Sequence, residues 1–161
     1  MFMRRINRFF FGMIIMLSFS LSPITYGADK MPLEVKQDDK CPVCGMFVAK
    51  YKNWLSQIIY KDGTYAVFDG PKDMFKYYLN IGNYNPSKKS SDIAAIYVTE
   101  YYSTKAMDAR QMIFVLGSDV YGPMGDELIP IASEKAAGEF MKDHKGEKIL
   151  RFHEVNTGHL K

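Results

Sequence analysis

Cys41-Pro-Val-Cys44-Gly-Met46 gathers three sulfur side chains into one short segment. Thiolate and thioether sulfurs are soft donors, and together they favour Cu(I) over hard or borderline ions. Gly45 separates Cys44 from Met46. In an extended chain, residues two apart project to the same side, so both sulfurs can face one ion. Cys-x-x-Cys alone serves dithiol redox proteins, zinc sites and copper sites alike; the added Gly-Met tilts the reading towards a soft metal.

Other uses of the same spacing make their own demands. A thioredoxin-like pair should follow a strand and open a helix, whose terminus depresses a cysteine pKa. Phe47-Val-Ala-Lys-Tyr51 carries no helix start. A zinc ribbon matches Cys-Pro-x-Cys-Gly but needs a second pair of ligands, and His144, His153 and His159 stand at the wrong spacing. A disulfide closing so short a loop would restrain little chain entropy, and would leave Met46 as a core residue. A soft-metal site uses all three sulfurs, so zinc is expected to bind far more weakly than Cu(I).

Met124 sits in Tyr121-Gly-Pro-Met-Gly125, bracketed by turn residues. An apolar side chain at a surface turn lacks an obvious packing partner. Either it tucks beneath its own loop, or, if two halves of the chain pack side by side, it brings a further sulfur to the site. Met74, Met107, Met112 and Met141 fit helical or strand faces and read as core. His159 reads as a free residue of a polar tail over 157–161, with an auxiliary ligand as the alternative.

These residues need elements to hold them. Alternation from Asn53 to Tyr60 fits a strand, Lys61-Asp-Gly63 a hairpin turn, and Thr64 to Phe68 the returning strand. Asp69-Gly-Pro71 opens a helix carrying Met74, Phe75 and Tyr78 on one face. Residues 80–92 read as a loop, and Ile93 to Tyr102 as a strand. The order then recurs: strands at Gln111–Leu116 and Glu127–Ile131, a helix capped by Ser133, and a closing strand at Lys148–Val155. The expected fold is α+β, two ββαβ-type units forming one compact domain with antiparallel or mixed sheets.

The first stretch reads as an address. Arg4, Arg5 and Arg8 precede an apolar run from Phe9 to Leu21, followed by small residues up to Ala28. That is the order of a signal peptide spanning 1–27, cleaved after Gly27 or Ala28. Its apolar core is shorter than the ~20 residues a spanning helix needs. With the three arginines removed, the mature chain balances 18 basic against 18 acidic residues, which gives no reason to expect nucleic acid as a partner. Residues 28–40 read as a flexible approach, and 41–156 as the working domain. No nucleophile–base pair or carboxylate couple is singled out by spacing, so a binding protein is expected rather than an enzyme.

Cys-x-x-Cys-Gly-Met-x-Val, the Phe68-Asp-Gly corner, Tyr97-Val-Thr-Glu-Tyr101, and Gly117-Ser118 followed by Gly122-Pro-Met-Gly125 together resemble the NosL proteins, accessory proteins of nitrous-oxide reductase. The resemblance runs from about Cys41 to Phe152. It implies two ββαβ modules, Cu(I) binding in the periplasm, and supply of copper for the reductase's copper–sulfide centre. The reductase apoprotein is then the acceptor, and a copper-exporting membrane pump is the donor such a role calls for. Cys44 and Met46 align with the family's Cys-x-Met pair, and Met124 with its Pro-Met-Gly methionine. Two departures stand out. Many members are lipoproteins attached through an N-terminal cysteine, which this chain lacks, so a soluble exported form is expected. Many also have one cysteine in the motif; here Cys41 is either an additional ligand or a disulfide partner of Cys44. A thiol–disulfide redox protein using Cys41 and Cys44 remains the alternative.

Overall fold

A computed structural model describes residues 31–160, so the leader read over 1–27 lies outside the described residues. The alternating segment forms β1 (Ser56–Tyr60), which pairs antiparallel with β2 (Tyr65–Phe68). Between them Gly63 takes φ +90°, a left-handed turn conformation that glycine adopts without cost. The Asp62 carboxylate accepts from the Thr64 N–H at 3.0 Å. Helix α1 (Pro71–Leu79) follows directly, with proline in its first turn. A single turn, α2 (Ile81–Tyr84), lies in the expected loop before β3 (Ile93–Thr99) returns antiparallel to the free side of β1. A short β4 (Ala106–Asp108) adds an edge, giving the order β2-β1-β3-β4.

The second half has β5 (Ile113–Leu116), β8 (Ile129–Ile131), α3 (Glu134–Asp143) and β9 (Lys148–Arg151), with sheet order β8-β5-β9. In both units the first strand is central. Its hairpin partner lies on one side and the strand after the helix on the other. The expected α+β fold of two ββαβ units is therefore the observed one, and every strand pairing among the described residues is antiparallel. A miniature hairpin, β6 (Tyr121–Gly122) and β7 (Gly125–Asp126), interrupts the second unit between β5 and β8.

Packing joins the units. Alpha-helical Phe75 stacks edge-on against Phe114 of β5 at 5.0 Å, while Tyr77 meets Phe68 of β2 at 5.2 Å. Helix α1 thus lies between the two sheets, and Pro71 to Phe75 are all buried. Helix α3 covers the outer face of the second sheet through Ala137 and Phe140, against Ile113, Val115, Ile129 and Ile131.

Several boundaries and placements differ from the sequence reading, each for a local reason. The strand expected to reach Tyr102 stops at Thr99, where the chain turns and the Glu100 carboxylate accepts from the Ser103 N–H at 2.7 Å. The strand expected from Gln111 starts at Ile113, because a 3-10 turn over Ala109–Gln111 is capped by Asp108. The closing strand ends at Arg151 in another such turn, Phe152–Glu154. Met74 and Met112 are buried as expected, but Met107 is exposed because it lies on the short edge strand β4. The approach segment is tied to the sheet at Leu33, whose N–H and carbonyl both bond the Gln57 side chain, at 2.9 and 2.7 Å. The polar tail also docks. Leu160 is buried in the main core, and His159 Nε2 stands 2.9 Å from Lys148 Nζ.

Candidate metal centre

The sulfur-bearing loop is closed on itself. The Cys41 N–H donates to the Met46 carbonyl and the Gly45 N–H to the Cys41 carbonyl, both at 2.9 Å. Lys40 and Phe47 form an isolated antiparallel bridge just outside. Gly45 has φ +79°, where a side chain would be strained. The segment Cys44-Gly45-Met46 is therefore a turn and not the extended run the spacing suggested. Cys41 and Val48 anchor the loop in the main core, while Cys44 is half-buried.

This loop rests on the corner between β2 and α1. Asp69 leaves the strand and Asp73 lies in the first turn of α1, and the fold brings both carboxylates into one cluster. The Cys44 thiol donates to Asp69 Oδ1 at 3.2 Å, and the Cys41 thiol to Asp73 Oδ2 at 3.4 Å. The ligand atoms of all four residues lie within 4.8 Å of one another. Asp69 and Asp73 are both buried, and Asp69 Oδ2 has no hydrogen-bond partner. Lys76 stands 3.3 Å from Asp73 Oδ1.

Both cysteines are free thiols. Burial pushes the Cys41 thiol well above its ordinary range, and pushes Cys44 up to about 11. Neighbouring carboxylates act in the same direction, because a thiolate beside them would add like charge. Opposing this, the nearby backbone of Cys44 and Val43 pulls the Cys41 thiol down, and that of Met46 pulls the Cys44 thiol down. A cation entering the cluster would reverse that balance, since metal ligation requires deprotonated sulfur.

The helix end beside the cluster is supported from the other unit. Glu127 is fully buried, and its Oε1 accepts from the Lys72 N–H and, at 2.9 Å, from the Leu128 N–H. Burial raises its carboxyl to about 8. A Cβ built on Gly70 would stand 2.1 Å from Glu127 Oε2, so any other residue here would displace this carboxyl. The same side chain lies against Gly122, at 3.1 Å from its would-be Cβ. Glu127 therefore binds the root of the β6–β7 hairpin to the start of α1.

The structure thus brings Cys41 and Cys44 together and places Met46 at the closing edge of their loop. Met124 occupies the tip of the β6–β7 hairpin and is 47% exposed. Neither Met46 nor Met124 belongs to a described core cluster, which removes the reading of Met46 as a core residue. His159 stays with Lys148 and Asn156, outside the cysteine–aspartate cluster. Asp69, Asp73 and Glu127 were not anticipated as site residues. Two acids four apart, opening a helix straight after a buried strand, were the available signal, and helix-start chemistry absorbed it.

The NosL family model matches residues 32–160, nearly all of the described chain. The chain belongs to the NosL family. Among NosL relatives, the copper-binding lipoprotein NosL of Stutzerimonas stutzeri is 26% identical over 137 residues, spanning 80% of this chain and 68% of that protein. The crystal structure of the copper chaperone NosL from Shewanella denitrificans overlays with a TM-score of 0.66 at 22% identity. That overlay covers 80% of this chain and 98% of the other. No helix among the described residues is long and apolar enough to cross a membrane.

Proposed function

We propose that this protein is an exported metallochaperone that carries Cu(I) on Cys41, Cys44 and Met46, and is not an enzyme. The observation that carries the reading is the pair of free thiols on one closed loop, one buried and one half-buried, whose sulfurs lie within 4.8 Å of each other. Cu(I) replaces the thiol protons and takes soft sulfur in preference to the nearby carboxylates. Cys44 sits at the open side, so an acceptor's sulfur or imidazole can enter there before the donor leaves. Met124, exposed on a hairpin rooted beside α1, supplies a further, exchanging sulfur. Two relatives are named for copper, which supports the same cargo. The leader read over 1–27 supports work in the periplasm. By family, the acceptor is apo nitrous-oxide reductase and the copper serves its copper–sulfide centre, with a membrane copper pump upstream.

The thiol–disulfide alternative is the weaker account. An attacking thiolate needs a lowered pKa, and both sulfurs here are pushed the other way. Anaerobic titration of the reduced protein with Cu(I) against a competing chelator tests the proposal. One equivalent should bind, and Cys44→Ser should lose roughly 100-fold or more in affinity, beyond what outer-shell changes cost. Unchanged affinity in Cys44→Ser would remove the assignment. Incubating the loaded protein with apo-reductase tests delivery, and copper left on the chaperone would refute that acceptor.

A further inference from the structure

Away from the cysteine loop, a cavity of about 370 Å³ opens where the first turn of α1 meets the end of β5. The β6–β7 hairpin and the terminal 3-10 turn Thr157–His159 complete its wall. A volume of that size falls in the range of small-molecule sites. Lys72 lines it, only 8% exposed, and its ammonium has no ion-pair partner among the described residues. Glu127, which accepts from the Lys72 N–H, is held protonated by burial up to about pH 8 and supplies little counter-charge at neutral pH. Ser118 lines the same cavity, equally buried, and its Oγ has no hydrogen-bond partner. A buried ammonium without an opposite charge and a buried hydroxyl without a partner are both costly. A ligand carboxylate answers both, because it accepts from an ammonium and from a hydroxyl alike.

The mouth carries the opposite sign. Asp126 of β7 and Glu147 before β9 line the cavity, are exposed, and form no ion pair with any described residue. The Glu147 N–H donates to the Leu116 carbonyl at 2.8 Å, and its carboxyl carbon would stand 2.7 Å from a Cβ on Gly117. Gly117 has φ +75°, so glycine serves both the turn and the passage of Glu147. His159, also in the lining, is taken up by Lys148 at 2.9 Å. Two carboxylates at the mouth repel an incoming dianion and attract a cationic group. The cavity therefore complements a molecule that carries both signs, and Leu116 and Tyr121 offer apolar and aromatic surface for its remainder.

We propose that this cavity binds a free α-amino acid, its carboxylate held by Lys72 and Ser118 and its ammonium by Asp126 and Glu147. None of these residues belongs to the cysteine loop, so the site stands whether or not the protein carries copper.

Saturation-transfer NMR and calorimetry on the metal-free protein, with a panel of free L-amino acids, test this. At least one should bind saturably at a single site. Its affinity should fall roughly tenfold or more when its carboxylate is amidated or its amine acetylated, the scale of one charge-assisted hydrogen bond. Lys72→Met, and the double variant Asp126→Asn with Glu147→Gln, should each lose roughly tenfold or more, while Cys44→Ser binds the amino acid unchanged. Should Lys72→Met fail to fold, the double variant carries the test, because both of its positions are exposed. Failure of the whole panel to bind overturns the proposal. Acetate binding as tightly as the preferred amino acid does so too, as does unchanged affinity in the double variant.

Discussion

The same strand-to-helix corner is built twice in this molecule, and the two copies are treated differently. At Ile131-Ala-Ser-Glu134 the Ser133 side chain caps α3 by accepting from the Ala136 N–H at 3.2 Å, and Ser133, Glu134 and Lys135 are exposed. The cap is supplied locally, as helix starts commonly require. At Phe68-Asp-Gly-Pro71 the helix has no side-chain cap of its own. Its first turn buries Lys72 and Asp73 beside the buried Asp69, and a carboxyl from the other unit bonds its free N–H. One corner follows local rules. The other departs from them, and there the cysteine loop docks. Departures of this kind concentrate where function is placed.

The strongest way to break this contrast is through Glu127, the group that replaces a local cap. Its carboxyl holds a proton up to about pH 8 in the folded chain, against an ordinary value near 4.5 in the unfolded one. The stability it contributes is whole below pH 4.5 and is lost as pH rises through about 8. Denaturant unfolding should show stability falling by up to about 1.4 kcal/mol per pH unit across that window. Glu127→Gln, which keeps the acceptor oxygen, should flatten the slope; an unchanged slope would assign it to other groups.

Gly70 comes next. Its φ of −165° is ordinary extended backbone, so the need for glycine is one of space beside Glu127. Gly70→Ala should cost about 2–3 kcal/mol, the scale of overpacking a close-packed interior, read as a lowered unfolding midpoint. The smallest expected effect lies at the ordinary corner. Ser133→Ala should cost about 1 kcal/mol, as loss of an N-cap does, and leave Cu(I) affinity unchanged. If it altered metal binding, the two corners would be coupled and the comparison would fail.

How much of this was legible in the sequence follows from what each feature depends on. The paired ββαβ order was readable because alternation, the Lys61-Asp-Gly63 turn, Pro71 and the Ser133 cap are all local signals. Cys41, Cys44 and Met46 were readable because their chemistry and spacing are local too. The Gly45 turn was missed, since an extended chain and a closed loop satisfy the same spacing, and only the Cys41–Met46 backbone bonds choose between them. Asp69 and Asp73 became candidate ligands through a contact between residues 25 to 32 apart, which no local pattern states. Glu127 read as strand. It leaves the ladder because α1, from the other unit, offers it an unpaired N–H. Leu160 and His159 looked like a polar tail because a single apolar residue makes no periodicity.

The central claim is that this corner holds Cu(I) through sulfur while its carboxylates stand by. Copper K-edge X-ray absorption on the reduced, singly loaded protein tests that most directly. A low-coordinate Cu(I) edge with two or three sulfur neighbours and no oxygen is the predicted result. A first shell dominated by oxygen or nitrogen, or one unchanged when Cys44 is replaced by serine, would contradict the account.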